Sequence, residues 1–147
     1  MKRHLKILYA LVFLLPVTGC LAPVIPEPDP EPEQIAYRVN ASEMFDLFEQ
    51  NEVAWAEKYA SQLCAVSGYA WNIKADDDEI RVTLLDERDP FWIGERRIAC
   101  HFDLSHTHAV AQLHEDQWIT VVGRCFPSGG FYGMAMTGCY IEAAASI

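Results

Sequence analysis

Four histidines fall within "CHFDLSHTHAVAQLH", residues 100 to 114. Imidazole nitrogens ligate zinc and copper, so His101, His106 and His108 could supply three donors to such an ion. Their spacing works against it, because His106 and His108 are two residues apart at the start of a short helix and do not share a face. Solvated or cap-region histidines are the simpler reading, and no metal is expected. The acid run "ADDDE", residues 75 to 79, lacks the Asp-x-Asp-x-Asp-Gly pattern of a calcium loop and reads as a solvated connection between strands. No Gly-x-Ser-x-Gly elbow, nucleotide-phosphate loop or Cys-His nucleophile setting occurs. The glycine-rich "GRCFPSGGFYG" reads as a hairpin turn. No catalytic constellation emerges, so neither an enzyme nor a cofactor is expected.

The first of the five cysteines has a different chemistry. Lys2 and Arg3 precede an apolar run from Leu5 to Val17, broken only by Lys6, which is the layout of a signal peptide. That run is shorter than the roughly 20 residues a membrane-spanning helix needs. Val17, Thr18 and Gly19 before Cys20 resemble the lipobox of bacterial lipoproteins, with Val17 where leucine is usual. The resemblance implies cleavage after residue 19 and a lipid-modified Cys20 as the anchor in the bilayer, since several acyl chains together hold a protein stably. Leu21 rather than aspartate follows, which by resemblance to the Gram-negative sorting rule directs the protein to the outer membrane, facing the periplasm.

Residues 20 to 37 then form a linker, with five prolines among acids between residues 22 and 34. Such a stretch resists helix and sheet; fully extended it could hold a domain roughly 40 Å from the lipid at about 3.1 Å per residue. Without residues 1 to 19 the chain keeps eight basic residues against 21 acidic ones, a net charge of −13. Strong acidity repels phosphate backbones, which weighs against nucleic acid as a partner. Residues 38 to 147 suffice for one domain with one core.

The elements of that domain follow from periodicity. "SEMFDLFEQNEVAWAEKYA" predicts a helix capped by Asn40 or Ser42, with Phe45, Leu47, Phe48 and Trp55 inward and a bend or break around Gln50 to Glu52. From Leu63 the period becomes two. "LCAVSGYAWNI", "EIRVTLLD" and "RIACHFD" read as half-buried strands, and "LSHTHAVAQLH" as a short helix capped by Ser105 with Ala109, Val110 and Leu113 inward. "QWITVVGRC" and "FYGMAMTGCYI" are two more strands joined by a turn at Pro127 to Gly130. Three strands, a helix and two strands is the order of a five-stranded OB-fold barrel, here mainly β and preceded by an N-terminal helix.

"N-A-S-E-M-F", "Q-N-E-V-A-W-A-E-K-Y", "V-S-G-Y-A", "I-A-C-H-F-D" and "I-T-V-V-G-R-C" together resemble the tRNA-anti-like group of bacterial envelope proteins over residues 39 to 142. That resemblance implies an OB-fold like that of anticodon-binding domains and does not by itself imply RNA binding.

Four cysteines remain in the domain, an even number for an oxidising compartment. If the last two strands turn near residue 132, Cys125 and Cys139 face one another within disulfide range. Closing that 15-residue loop would contribute roughly 3 kcal/mol. Cys64 and Cys100 lie on strands that could be neighbours, and either bond there or stay buried thiols.

OB barrels bind through the face of their second and third strands and the adjoining loops. Those positions here include Trp71, Phe91, Trp92, Phe126, Phe131 and Tyr132, with Arg81, Arg88, Arg96 and Arg97 nearby. Aromatics with arginine serve single-stranded nucleic acid and protein interfaces alike. Acidity and the envelope address favour a tethered adaptor for an envelope protein, with Phe91 and Trp92 as its exposed anchor. Nucleic acid or oligosaccharide on the barrel face, or a metal at the histidines, are the alternatives.

Overall fold

The computed structural model describes residues 33–87, 96–128 and 133–142. Six strands form its sheet: β1 (Tyr37–Asn40), β2 (Leu63–Ala75), β3 (Ile80–Leu85), β4 (Arg97–Phe102), β5 (Trp118–Pro127) and β6 (Met134–Ile141). Helices α1 (Ala41–Gln50) and α2 (Glu52–Tyr59) precede β2, and a 3-10 turn at Leu104–His106 leads into α3 (Thr107–Val110) between β4 and β5. The last five strands close in the order β2-β3-β4-β6-β5, with β5 returning to β2. This is the five-stranded OB barrel that the element order implies, with its helix between the third and fourth barrel strands.

Strand β2 makes the closure possible by its length. Leu63 to Tyr69 pair with β5 on one edge, while the other edge takes β1 along Cys64 to Ser67 and then β3 from Tyr69 onward. A register shift between Trp71 and Lys74 bends the strand, and Asn72 absorbs it at φ +47°, a region asparagine tolerates. Gly68 allows the tight approach of β3, since a Cβ there would stand 2.7 Å from the Leu85 carbonyl oxygen.

The helical segment breaks at Asn51, within the expected stretch. Asn51 caps α2, its side-chain oxygen accepting from the Ala54 N–H at 3.1 Å. Asn40 stands before α1, and its N–H donates to the Glu43 carboxylate. Met44, Phe45, Trp55 and Tyr59 are buried in one cluster with the inward residues of the barrel, while Leu47 and Phe48 are partly buried against it. Strand β1 was not foreseen: four residues, three of them exposed, pairing in parallel give no alternating signal.

Two local expectations change. The turn before α3 is capped by Asp103, which accepts from the Ser105 N–H at 2.8 Å, rather than by Ser105. Within α3 Val110 is buried but Ala109 is exposed, because the helix is a single turn and presents only one side.

The cysteine pairing also changes. Strands β5 and β6 pair Cys125 with Met136 and Pro127 with Met134, so Cys125 stands three residues short of facing Cys139. A shift between Val122 and Arg124 carries the register past Gly123. Cys64 and Cys100 sit on β2 and β4, which are not neighbours, because β3 separates them. All four thiols are free and buried.

Candidate functional site

On β3 and β4, Val82, Leu84, Ile98 and Cys100 point into the core, so by strand alternation Arg81, Thr83, Leu85, Arg97, Ala99 and His101 belong to the outer face. Registers tie these residues into rows across the barrel. One row runs Trp118 on β5, Tyr69 on β2, Leu85 on β3 and Arg97 on β4. The next runs Trp71, Thr83, Ala99, Ala135 and Phe126. A third pairs Arg81 with His101.

The first row is aromatic at one end and cationic at the other. Trp118 is 49% exposed, and its ring meets Tyr69 edge-on at 4.8 Å between centroids. Leu85 and Arg97 are half-buried. In the second row the half-buried Trp71 and Phe126 flank Thr83, Ala99 and Ala135, which are all buried, so the middle of this row is covered; the Thr83 hydroxyl has no hydrogen-bond partner among the described residues.

The arginines divide sharply. Arg38 holds Glu142 at 2.8 Å, Arg81 holds Asp76 at 3.0 Å and Glu79 at 3.6 Å, and Arg124 holds Glu33. Arg96 is surrounded by Asp46, Glu49 at 3.5 Å and Asp86 at 3.2 Å. The hydrogen bond from Arg38 draws the Glu142 carboxyl below its ordinary range, and Asp103 is lowered in the same way, first by the Ser105 N–H. Among the described residues, Arg97 is the guanidinium that no carboxylate neutralises.

The histidines do not gather. His101 Nδ1 lies 3.0 Å from the Glu79 carboxylate, His106 packs its ring near Phe102, and His108 contacts Gln112 at 3.0 Å. Among the described residues no group of three or more histidine, cysteine, aspartate or glutamate side chains could hold a metal ion. Asp76 and Glu79 of the acid run are instead engaged by Arg81.

Of the anticipated binding residues, Trp71, Arg81, Arg97 and Phe126 all lie on the outer face but in different places: Trp71 and Phe126 stand at opposite ends of the second row, on β2 and β5, Arg97 ends the first and Arg81 lies in the third, while Arg96 is drawn away to α1 and Asp86. Phe91, Trp92, Arg88, Phe131, Tyr132 and the Cys20 anchor lie outside the described residues. Tyr69 and Trp118 were missed. Their alternation marks them as outward, but only the β2–β5 register joins them.

The family model of the tRNA-anti-like proteins matches residues 1–128. The chain belongs to the tRNA-anti-like family. A comparison of this tRNA-anti-like chain with curated proteins gives no match. Among solved structures it is similar to a proposed nucleic acid-binding lipoprotein from Klebsiella pneumoniae, at 16% identity and a TM-score of 0.58, covering 75% of this chain and 92% of that one. It also aligns with an OBody bound to hen egg-white lysozyme, at 13% identity and a TM-score of 0.44, over 58% of this chain and 100% of the other. A DUF3299 family protein from Pseudomonas aeruginosa aligns at 9% identity and a TM-score of 0.32, over 80% of this chain and 87% of that one. The Klebsiella protein shares the fold; the other two are too distant to add to it.

Proposed function

We propose that this protein is an envelope lipoprotein, anchored through Cys20, whose barrel is a binding or adaptor module for a protein partner. The partner meets the outer face along Trp118, Tyr69, Leu85 and Arg97. One observation carries the reading: this face joins exposed aromatic surface to Arg97, the one arginine among the described residues that holds no carboxylate. Tryptophan, tyrosine and arginine are the side chains that dominate protein interfaces. A phosphate backbone needs several free cations and would have to displace carboxylates from Arg81 or Arg96, against a mature net charge of −13. The lipobox-like residues before Cys20 and the lipoprotein description of the Klebsiella relative support the address.

Single-stranded nucleic acid is the second reading, favoured by that relative's description and by the aromatic row on which bases could stack. Crosslinking of the full-length protein in its own membranes, with a Cys20→Ala control, tests the first reading. A captured protein that disappears in the control supports a tethered adaptor. Binding of an oligonucleotide by the full-length chain that weakens steeply with salt would replace it with the second reading.

A further inference from the structure

Four cysteines face the barrel interior, one from each of β2, β4, β5 and β6. Cys64 and Cys100 are 0% exposed, Cys125 and Cys139 1%. The strand register decides which of them are neighbours. Cys64 pairs directly with Gly123 across the β2–β5 seam, so Cys125, two residues along β5 on the same face, is its diagonal neighbour. Gly123 offers no side chain there, and Cys139 Sγ fills the space, 2.8 Å from where a Cβ would stand. On the other seam Cys100 of β4 pairs in parallel with Met136 of β6, its Sγ 4.0 Å from the Met136 sulfur. Beyond Met136, Gly138 at φ +59° redirects the strand, and the next residue, Cys139, is buried. The strongest electrostatic coupling between the thiols falls in the same pairs, Cys64 with Cys125 and Cys100 with Cys139, with a weaker one between Cys125 and Cys139.

We propose that the mature protein carries two disulfides, Cys64–Cys125 and Cys100–Cys139, each fastening one of the two seams that close the barrel. The inference rests on the envelope address proposed above, because these bonds persist in an oxidising compartment. It differs from a Cys125–Cys139 bond within the last hairpin, whose cysteines the register sets three residues out of step. It differs equally from a Cys64–Cys100 bond between strands that β3 separates.

Each bond forms by thiol–disulfide exchange with a disulfide oxidoreductase of the envelope. One protein thiolate attacks the donor's disulfide and expels a donor thiolate; the second protein thiolate attacks the mixed disulfide and expels the other. Two electrons and two protons leave the protein per bond, and the donor departs as a dithiol. Because all four sulfurs are buried in the closed barrel, the exchange is completed before closure.

The test is disulfide mapping on the full-length chain. One sample is alkylated at lysis of its own cells, and a second is reduced, unfolded and refolded in a glutathione redox buffer. Trypsin leaves Cys125 and Cys139 on one peptide, since no lysine or arginine follows Arg124; cyanogen bromide then separates them at Met134 and Met136. The expected result in both samples is residues 59–74 linked to a fragment holding Cys125, and residues 98–124 linked to one holding Cys139. Any other pairing, or a single bond, overturns the proposal. Free thiols from cells with the expected pairs in the buffer overturn it through its envelope premise, and free thiols in both overturn it through the geometry.

Discussion

A Cβ on Gly123 would stand 2.8 Å from Cys139 Sγ and 3.0 Å from the Thr137 carbonyl oxygen, so the absence of a side chain at residue 123 is what lets β5 and β6 close over the interior sulfurs. The carbonyl belongs to the backbone and cannot swing aside. Gly123→Ala therefore destabilises the domain by about 1 to 3 kcal/mol, the usual range for overpacking a tight site. Denaturant unfolding of the variant measures it, and an unchanged midpoint would mean that β6 yields freely.

Asn51 separates α1 from α2 and satisfies the Ala54 N–H. Asn51→Ala removes that bond and costs about 1 kcal/mol, the typical loss of an N-cap. Thermal unfolding reads the loss.

Much of this was legible in the sequence where periodicity was strong. The alternation in "EIRVTLLD" and "RIACHFD" places Val82, Leu84, Ile98 and Cys100 inward, as the buried cluster has them. The interruption between Gln50 and Glu52 marks the helix break at Asn51. What stayed hidden depends on pairing between distant segments. Tyr37 to Asn40 form a strand only because β2 offers its free edge there. The three-residue offset of Cys139 from Cys125 is set by the register that pairs Pro127 with Met134, which local residue types do not specify. The candidate face was legible in its chemistry through Trp71 and Arg97. Its composition was not, because Trp118 joins Tyr69 from 49 residues away in sequence, and because Arg97 stands out only once its neighbours' carboxylates are located.

If the two seam disulfides are present, they should dominate stability. Their loops are long, and in the chain-entropy model each contributes about 4 kcal/mol. Unfolding the oxidised chain with and without a phosphine reductant should give a large drop in midpoint on reduction. A midpoint indifferent to reductant would leave the barrel standing on its core alone.

Acid weakens the fold in part through Glu142 and Asp103. Both carboxyls titrate lower in the folded chain than in the unfolded one, Glu142 through its bond from Arg38 and Asp103 through the Ser105 N–H. Their stabilisation is therefore complete above the ordinary carboxylate range and fades as pH falls through the lowered folded values. Glu142→Gln should flatten the decline of stability with acid slightly, since the pair is exposed. Midpoints measured from pH 7 down to pH 3 compare the variant with the parent.

Arg97→Glu and Trp118→Ala should each weaken partner binding at least tenfold, the effect of losing about 1.4 kcal/mol at an interface. Arg97→Glu should leave the thermal midpoint nearly unchanged, because Arg97 holds no ion pair among the described residues, while Trp118→Ala should lower it only by the loss of its edge-on contact with Tyr69, about 1 kcal/mol. Equal losses of binding and of stability would mark the two residues as structural.

The most direct measurement places a photo-crosslinking residue at position 118 in the membrane-anchored protein, with a second at Val53, an exposed position on α2. The binding-face account predicts one dominant protein adduct from position 118, lost with Arg97→Glu and absent from position 53. The same adducts from both positions, or oligonucleotide rather than protein captured at 118, would contradict it.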